Sequence, residues 1–402
     1  MATGDQMLIN FPRETTMQEI AQALQTMAFT QSTKLENITT WDQISGLVRN
    51  GYAQKIFDFG DWINEKWTDT AATKEYDYPL RVNHFENVEL ENGEVVPGMF
   101  LQAHYAHPFG VQFSQARAFL RCPDGLAAGT YNVKFGEKWG DKDAQKDTTW
   151  QFTLAKPVPA GGCLGGFIQM SDLAASTWKV ISYAADRITK IETVPVTSGS
   201  GGTALGTLQY ATRNGNLNSM QETGYGWNRW KTSALRQYLN SNQPKGKWWT
   251  PQDDWDIAPD QLTAKDGFLC GVPDDLLKAL KTVKVVTYAN TVQDGGEADI
   301  TYDKVFLPSL EQLFINPQIA GEGTVHEYWQ RRSGMKTKMQ QYQTYPNMIT
   351  YAVENHTSPQ HVRLRSASRG NAYATWYVNS SGGVGSDYGA WGALRFSPLV
   401  VV

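Results

Sequence analysis

Cysteine is scarce: Cys122, Cys163 and Cys270 are three in 402 residues, odd in number and without a CxxC spacing. That excludes a disulfide framework and a cysteine zinc site. No stretch approaches the ~18 consecutive apolar residues of a membrane span, and Met1 to Asn10 has no basic n-region of a signal peptide. Synthesis in a reducing cytosol without membrane insertion is expected. An excess of either charge is also missing: 36 Lys and Arg stand against 40 Asp and Glu, a net charge of −4. No basic field is available to hold a phosphate backbone, so a nucleic-acid partner is not expected.

Catalytic signatures are missing as well. His104 and His107 make an HxxH spacing without the Glu of HExxH, and His356 and His361 are merely near each other. Asp253, Asp254, Asp256 and Asp260, like Asp274 and Asp275, fail the EF-hand pattern and read as solvated loop or helix-start carboxylates. Gly199 to Gly202 is not followed by Lys-Ser/Thr, and no GxSxG occurs. No catalytic residue, metal ligand or cofactor is expected.

What is present is apolar and aromatic: 41% hydrophobic residues with 14 Trp, 18 Tyr and 16 Phe. A chain of this length predicts two or three domains. Residues 1–75 read as a helical lead-in for docking or oligomerisation. In it, capping boxes at Thr16/Glu19 and Thr40/Gln43 precede apolar stripes that need a partner in the chain or in another subunit. Residues 76–159 alternate with period two, as in Tyr131-Val133-Phe135 and Trp150-Phe152-Leu154, and predict a small antiparallel β domain. Prolines and glycines from Lys156 to Gly166 place a boundary near 160, and Thr197 to Gly206 is a second loop candidate. Residues 160–402 read as mixed α+β, with short helices at 232–240, 273–283 and 309–314. Strands are expected at 284–289, 304–307, 375–379 and 394–402. The aromatic cluster from Gly224 to Trp230, with Trp248, Trp249 and Trp255, reads as core rather than as a sugar-stacking platform.

Residues 366–396 stand apart. Of these 31 residues, 16 are Gly, Ser, Tyr or Asn, with Trp376 and Trp391 added. This is the palette of antibody recognition loops, rigid aromatics among small adaptable polar groups. Lys, Gln, Glu and Met make up 75 of the 402 residues, so by composition the last 37 should hold about seven; they hold none. A buried Gly/Ser-rich terminal hairpin avoids long side chains too, because ordering them costs entropy.

Several strings carry a resemblance: Gly226-Trp-Asn-Arg-Trp-Lys-Thr-Ser-Ala-Leu-Arg-Gln-Tyr-Leu-Asn240, Trp248-Trp249, Asp266-Gly-Phe-Leu269, Lys304-Val-Phe-Leu-Pro-Ser-Leu-Glu-Gln312, Glu327-Tyr-Trp329, Leu364-Arg-Ser-Ala367, Trp376-Tyr-Val-Asn-Ser-Ser-Gly382 and Arg395-Phe-Ser-Pro398. In this order they resemble the C-type-lectin-fold domains of phage and gut-bacterial proteins, whose fold relatives are the formylglycine-generating enzymes. Members of the group serve as variable proteins of diversity-generating retroelements. The resemblance spans about 160 to 402 and implies an α+β fold whose C-terminal part is C-type lectin-like. It also implies a mechanism for the missing residues: randomising the adenines of AAC or AAT codons cannot yield Lys, Gln, Glu, Met or Trp. Asn371, Tyr373, Thr375, Tyr377, Gly383, Gly385, Ser386, Asp387, Tyr388, Ala390, Ala393 and Leu394 are encodable that way and form the implied variable ligand-binding face. Trp391 joins them only from another codon, and Trp376 reads as scaffold.

The cysteine pair of the formylglycine-generating enzymes is absent, so their oxidase chemistry is not implied. Gln243-Pro-Lys245 and Trp376-Tyr-Val-Asn379 lack the carboxylates with which calcium-dependent lectins bind sugar. The expectation is a non-enzymatic, phage-encoded receptor-binding protein on the virion. Its expected partners are a host-surface receptor, protein or glycan, other virion proteins, and copies of itself, a trimer by analogy. The competing expectation is an invariant virion structural protein that shares the lectin-like domain.

Overall fold

The computed structural model describes residues 38, 40–115, 117–122, 124–135, 149–158, 160, 162–166, 177–184, 187–210, 220–223, 226–252, 256, 258–291 and 294–402. The Thr16/Glu19 box lies outside them.

Thr40 caps α1 (Trp41–Arg49): its hydroxyl accepts from Gln43 N at 3.3 Å while the Gln43 side chain accepts from Thr40 N at 3.1 Å. This reciprocal box satisfies two amides that have no partner within the helix. Ile44, Leu47 and Val48 then fall on one face and are buried, together with Trp41. A single turn, α2 (Ala53–Ile56), follows. Next come β1 (Trp62–Ile63), the hairpin of β2 (Lys66–Asp69) and β3 (Lys74–Asp77), and the long pair β4 (Leu80–Glu89) and β5 (Val95–Ala103).

Eight strands then close a barrel: β6 (Arg117–Cys122), β7 (Gly129–Phe135), β8 (Thr149–Leu154), β9 (Gly162–Gly166), β10 (Thr177–Ala184), β11 (Arg187–Ser198), β12 (Thr203–Tyr210) and β13 (Met220–Thr223). Their order is β10-β11-β8-β7-β12-β13-β6-β9, with β12 parallel to both its neighbours. Closure leaves no unpaired sheet edge. The boundary expected near residue 160 therefore falls inside this barrel, because β8 pairs with β11 and β6 with β9. Alternation identifies strands, but it carries no information on which of them pair.

After the barrel come α3 (Ala234–Leu239), capped by Ser233, and α4 (Asp274–Ala279), preceded by Pro273. They are followed by the hairpin β14 (Val283–Tyr288) and β15 (Ala298–Asp303), then β16 (Val305–Phe306). α5 (Glu327–Ser333) ends at Gly334 in the left-handed region. Short strands β17 (Thr350–Tyr351) and β18 (Pro359–Gln360) lead to β19 (Val362–Ala367), β20 (Thr375–Val378) and β21 (Val384–Gly385), which form one sheet; β22 (Leu399–Val401) closes the chain. The helix expected at 309–314 is only a turn. Ser309 and Gln312 make both capping-box bonds, at 3.1 and 3.2 Å, but Phe314 sits at a φ of +61° and turns the chain away.

The class is mixed α+β. Its central five-stranded sheet, β1-β4-β5-β22-β16, joins the expected first, second and third regions. β22 lies between β5 and β16, pairing Val400 with Leu101 and with Val305. A strand flanked on both edges and covered on both faces is apolar at every position, and Leu399, Val400 and Val401 are all buried. α1 packs on β5 and α4, so the partner of its stripe is the rest of the chain. Trp230 and Trp248 belong to this main core; a second apolar cluster around Trp329, Trp376, Val378 and Val384 underlies the C-terminal sheet.

Candidate ligand-binding face

Between β19 and β20, and again between β21 and β22, the chain forms loops, residues 368–374 and 386–398. Side chains rooted elsewhere grip these loops by their backbone. Asn228, buried in the segment before α3, directs its Nδ2 to the carbonyl oxygens of Ser368, Asn371 and Ala374 at 3.1, 3.0 and 2.7 Å. Its own amide donates to Ala372 O at 3.0 Å, and Asn290 Nδ2 donates to its Oδ1 at 2.9 Å, which fixes the amide's orientation.

Arg363, on β19, is 0% exposed. Its Nη2 donates to Gly389 O at 3.0 Å and Gly392 O at 2.6 Å, and its Nη1 to the Thr375 hydroxyl. Loss of hydration lowers this guanidinium to about 9. Ala390 is pinned from both sides: Phe113 N and Ser114 N donate to its carbonyl at 2.9 and 3.2 Å, and its amide donates to Tyr373 O at 2.7 Å. Close backbone approach explains two glycines. A Cβ on Gly110 would lie 1.8 Å from Ala393 O, and one on Gly226, at φ +80°, would lie 2.8 Å from Trp391 N.

The thirteen expected face residues divide by depth. Asp387, Tyr388 and Ala393 are exposed; Asn371, Tyr373, Gly385, Trp391 and Leu394 are half-buried; Thr375, Tyr377, Gly383, Ser386 and Ala390 are buried. The outward face is thus smaller than codon arithmetic implies, because encodability does not register burial. Thr375 faces Arg363, and Asn371 Oδ1 accepts from Tyr373 N and Ala374 N at 3.1 and 2.7 Å, shaping its own loop.

At the surface, the Tyr377 hydroxyl donates to Asp387 Oδ1 at 2.5 Å. Burial, and then this carboxylate, raise the phenol above its ordinary range. His361 stacks on Tyr377 at 5.7 Å, Tyr388 meets Tyr377 edge-on at 5.2 Å, and Tyr342 reaches the Ser386 hydroxyl at 2.9 Å. The result is a patch of packed aromatic rings with hydroxyl, amide and carboxylate groups between them, groups able to offer apolar contact and hydrogen bonds. Asn228, Arg363 and Tyr342 are not singled out by the sequence, and His361 is weighed there only as a metal ligand beside His356. Asn228 lay inside the quoted Gly226-Trp-Asn-Arg string, and Arg363 immediately precedes Leu364-Arg-Ser-Ala367.

Other candidates do not converge. His107 is buried between the Tyr78 and Tyr238 hydroxyls, each at 3.2 Å, whereas His104 packs against Trp62. Among the described residues no three His, Cys, Asp or Glu side chains are grouped to hold a metal ion, and no helix there is long and apolar enough to cross a membrane.

Residues 200–396, just under half the chain, match the model of a domain of unknown function, DUF6273. The match takes in α3 through most of the second loop, but not Gly110, Phe113 and Ser114, which meet that loop from outside it. No curated protein and no solved structure matches the chain.

Proposed function

We propose that this chain is a non-enzymatic receptor-binding protein displayed on a phage virion, with a C-type-lectin-like C-terminal region whose face a diversity-generating retroelement rewrites. The observation that carries the reading is the way Asn228 and Arg363 hold the loops of 368–374 and 386–394: all five of their side-chain hydrogen bonds to these loops end on backbone carbonyls. Carbonyls are the same whatever the side chain, so the loop path survives substitution at Tyr373, Asp387, Tyr388, Trp391, Ala393 and Leu394. A frame that fixes backbone and leaves side chains free is the antibody solution to binding many ligands. The ligand is a host-surface receptor, and several copies, a trimer by analogy, supply avidity.

One observation favours the second reading, an invariant virion structural protein: five of the thirteen expected face positions are buried. Deep sequencing of codons 360–402 across a natural population, with the flanking DNA, decides between them. The proposal expects substitutions concentrated at the outward positions, with a near-copy template carrying adenines there and a reverse transcriptase gene nearby. A quiet segment without a template leaves the structural protein.

A further inference from the structure

Tyr342 lies outside the segment whose composition marks it as variable, yet it borders the face. Its backbone joins the edge of β21: Tyr342 N donates to Val384 O, Val384 N to Gln343 O, and Tyr345 N to Gly382 O, each at 2.9 Å. Three features set the residue apart. Its φ is +58°, in the left-handed region, which holds a bulky side chain only at a cost on the order of 1 kcal/mol or more. The residue is 66% exposed, more than any other large hydrophobic among the described residues. And the ring is not loose: it packs 5.2 Å from Trp376, and its hydroxyl reaches Ser386 Oγ.

Folding gains little from an aromatic residue two-thirds exposed, and Gly or Asn would fit this turn with less strain. A rigid, exposed ring held in a strained turn beside a binding face is what a contact residue requires. We infer that Tyr342 is a fixed aromatic anchor of the ligand-binding face, supplying apolar contact to protein ligands whatever residues 373–394 carry. The inference rests on the receptor-binding reading above. A protein is the partner that suits a constant anchor, since more than half of any folded protein's surface is apolar. A glycan instead demands a patterned set of hydrogen bonds that one ring cannot keep across changing ligands.

The test displays the full chain on yeast with Tyr373, Asp387, Tyr388, Trp391, Ala393 and Leu394 randomised, and selects against hen lysozyme, streptavidin and dextran beads. Each binder then receives Tyr342→Ala, Tyr342→Asn and Tyr342→Phe, with affinity read well below the thermal midpoint. Tyr342→Ala and Tyr342→Asn should weaken every protein binder by about tenfold or more. Tyr342→Phe should stay within about threefold, since it loses one hydrogen bond. Tyr342→Asn should leave the thermal midpoint within a few degrees of the parent, separating contact from folding. Protein binders indifferent to Tyr342→Ala overturn the anchor while leaving the face intact. A library that yields no binder, or binders to dextran alone, overturns the anchor; the first of these also removes the receptor-binding reading.

Discussion

β22 and the loop that precedes it are held in opposite ways, although only a few residues separate them. β22 is held by its side chains: Leu399, Val400 and Val401 are buried in the central sheet, and every atom of them is specified by its neighbours. The loop of residues 386–394 is held by its carbonyls, through Arg363, Phe113 and Ser114. A packed side chain ties structure to identity, because removing a methylene leaves a void. A gripped carbonyl ties structure to the gripping residue instead, and leaves the loop's own identity open. One chain thereby keeps a rigid frame and a permissive loop a few residues apart, the frame in the central sheet and the loop beside the C-terminal one.

The largest expected effect breaks the frame side of this comparison. Leu399 is fully buried between β5 and β16, so Leu399→Ala should cost about 3 kcal/mol through lost burial plus a cavity. Urea unfolding followed by circular dichroism should show a lower midpoint with an unchanged slope. A loss under about 1 kcal/mol would mean that β22 does not need its side chains, and the contrast would fail.

Asn228→Ala tests the grip. It strips the donor from the carbonyls of Ser368, Asn371 and Ala374, and should cost about 2 kcal/mol, since buried acceptors are left unpaired. Unlike Leu399→Ala, it should act locally: amide hydrogen exchange should quicken in 368–374 while β5 and β22 keep their protection. Uniform loss of protection would make Asn228 an ordinary core residue.

A smaller effect comes from pH and belongs to the frame. Burial holds His107 and His326 well below the usual imidazole range; Arg395 and Lys265 add to this at His107, and His84, Arg365 and Arg81 at His326. Both are neutral when folded but take up a proton when unfolded, so stability falls as pH drops through about 6.5. His84 acts the other way. Burial opposes its charge, but hydrogen bonds and charge from Glu86 and Glu327 prevail and raise it, so its contribution is complete below about 6.5 and fades as pH rises. His104 joins the first pair, lowered to about 3 by burial and then by Arg81, Arg332 and His356, so three against one the acid side loses, on the order of 2 kcal/mol between pH 6.5 and 5.5. Urea midpoints over that range should fall, and His326→Phe should flatten the fall.

Much of the frame is legible in the sequence because short-range chemistry encodes it. Thr40/Gln43 announces α1, Pro273 precedes α4, and the unbroken apolar run Leu399 to Val402 reads as a buried strand. Pairing is not legible: nothing in the residues around 160 tells that β8 reaches β11, or that the last strand inserts beside β5. The face was legible as a composition and not as a geometry. The same residue type stands at Tyr377, buried, and Tyr388, exposed, and only the fold separates them. The gripping residues were hidden for a related reason: a buried Asn or Arg that binds carbonyls has no spacing of its own, because its partners are backbone groups far along the chain.

The smallest expected effect is the one that sharpens the comparison most. Tyr388 is 43% exposed and its ring packs against His361 and Tyr377, while its carbonyl takes a hydrogen bond from Thr375 N at 3.4 Å. Tyr388→Ser keeps that carbonyl and gives up a partly solvated ring contact, so it should shift stability by no more than about 0.5 kcal/mol. Ala393→Ser, equally outward, should behave alike, and the two together should add, since they share no partner and neither provides a grip on the loop. Thermal unfolding of the double variant within a few degrees of the parent is the expected result. A cooperative loss well beyond the sum would show that the loop depends on its own side chains after all, and that Arg363 and Asn228 hold it only in partnership with them.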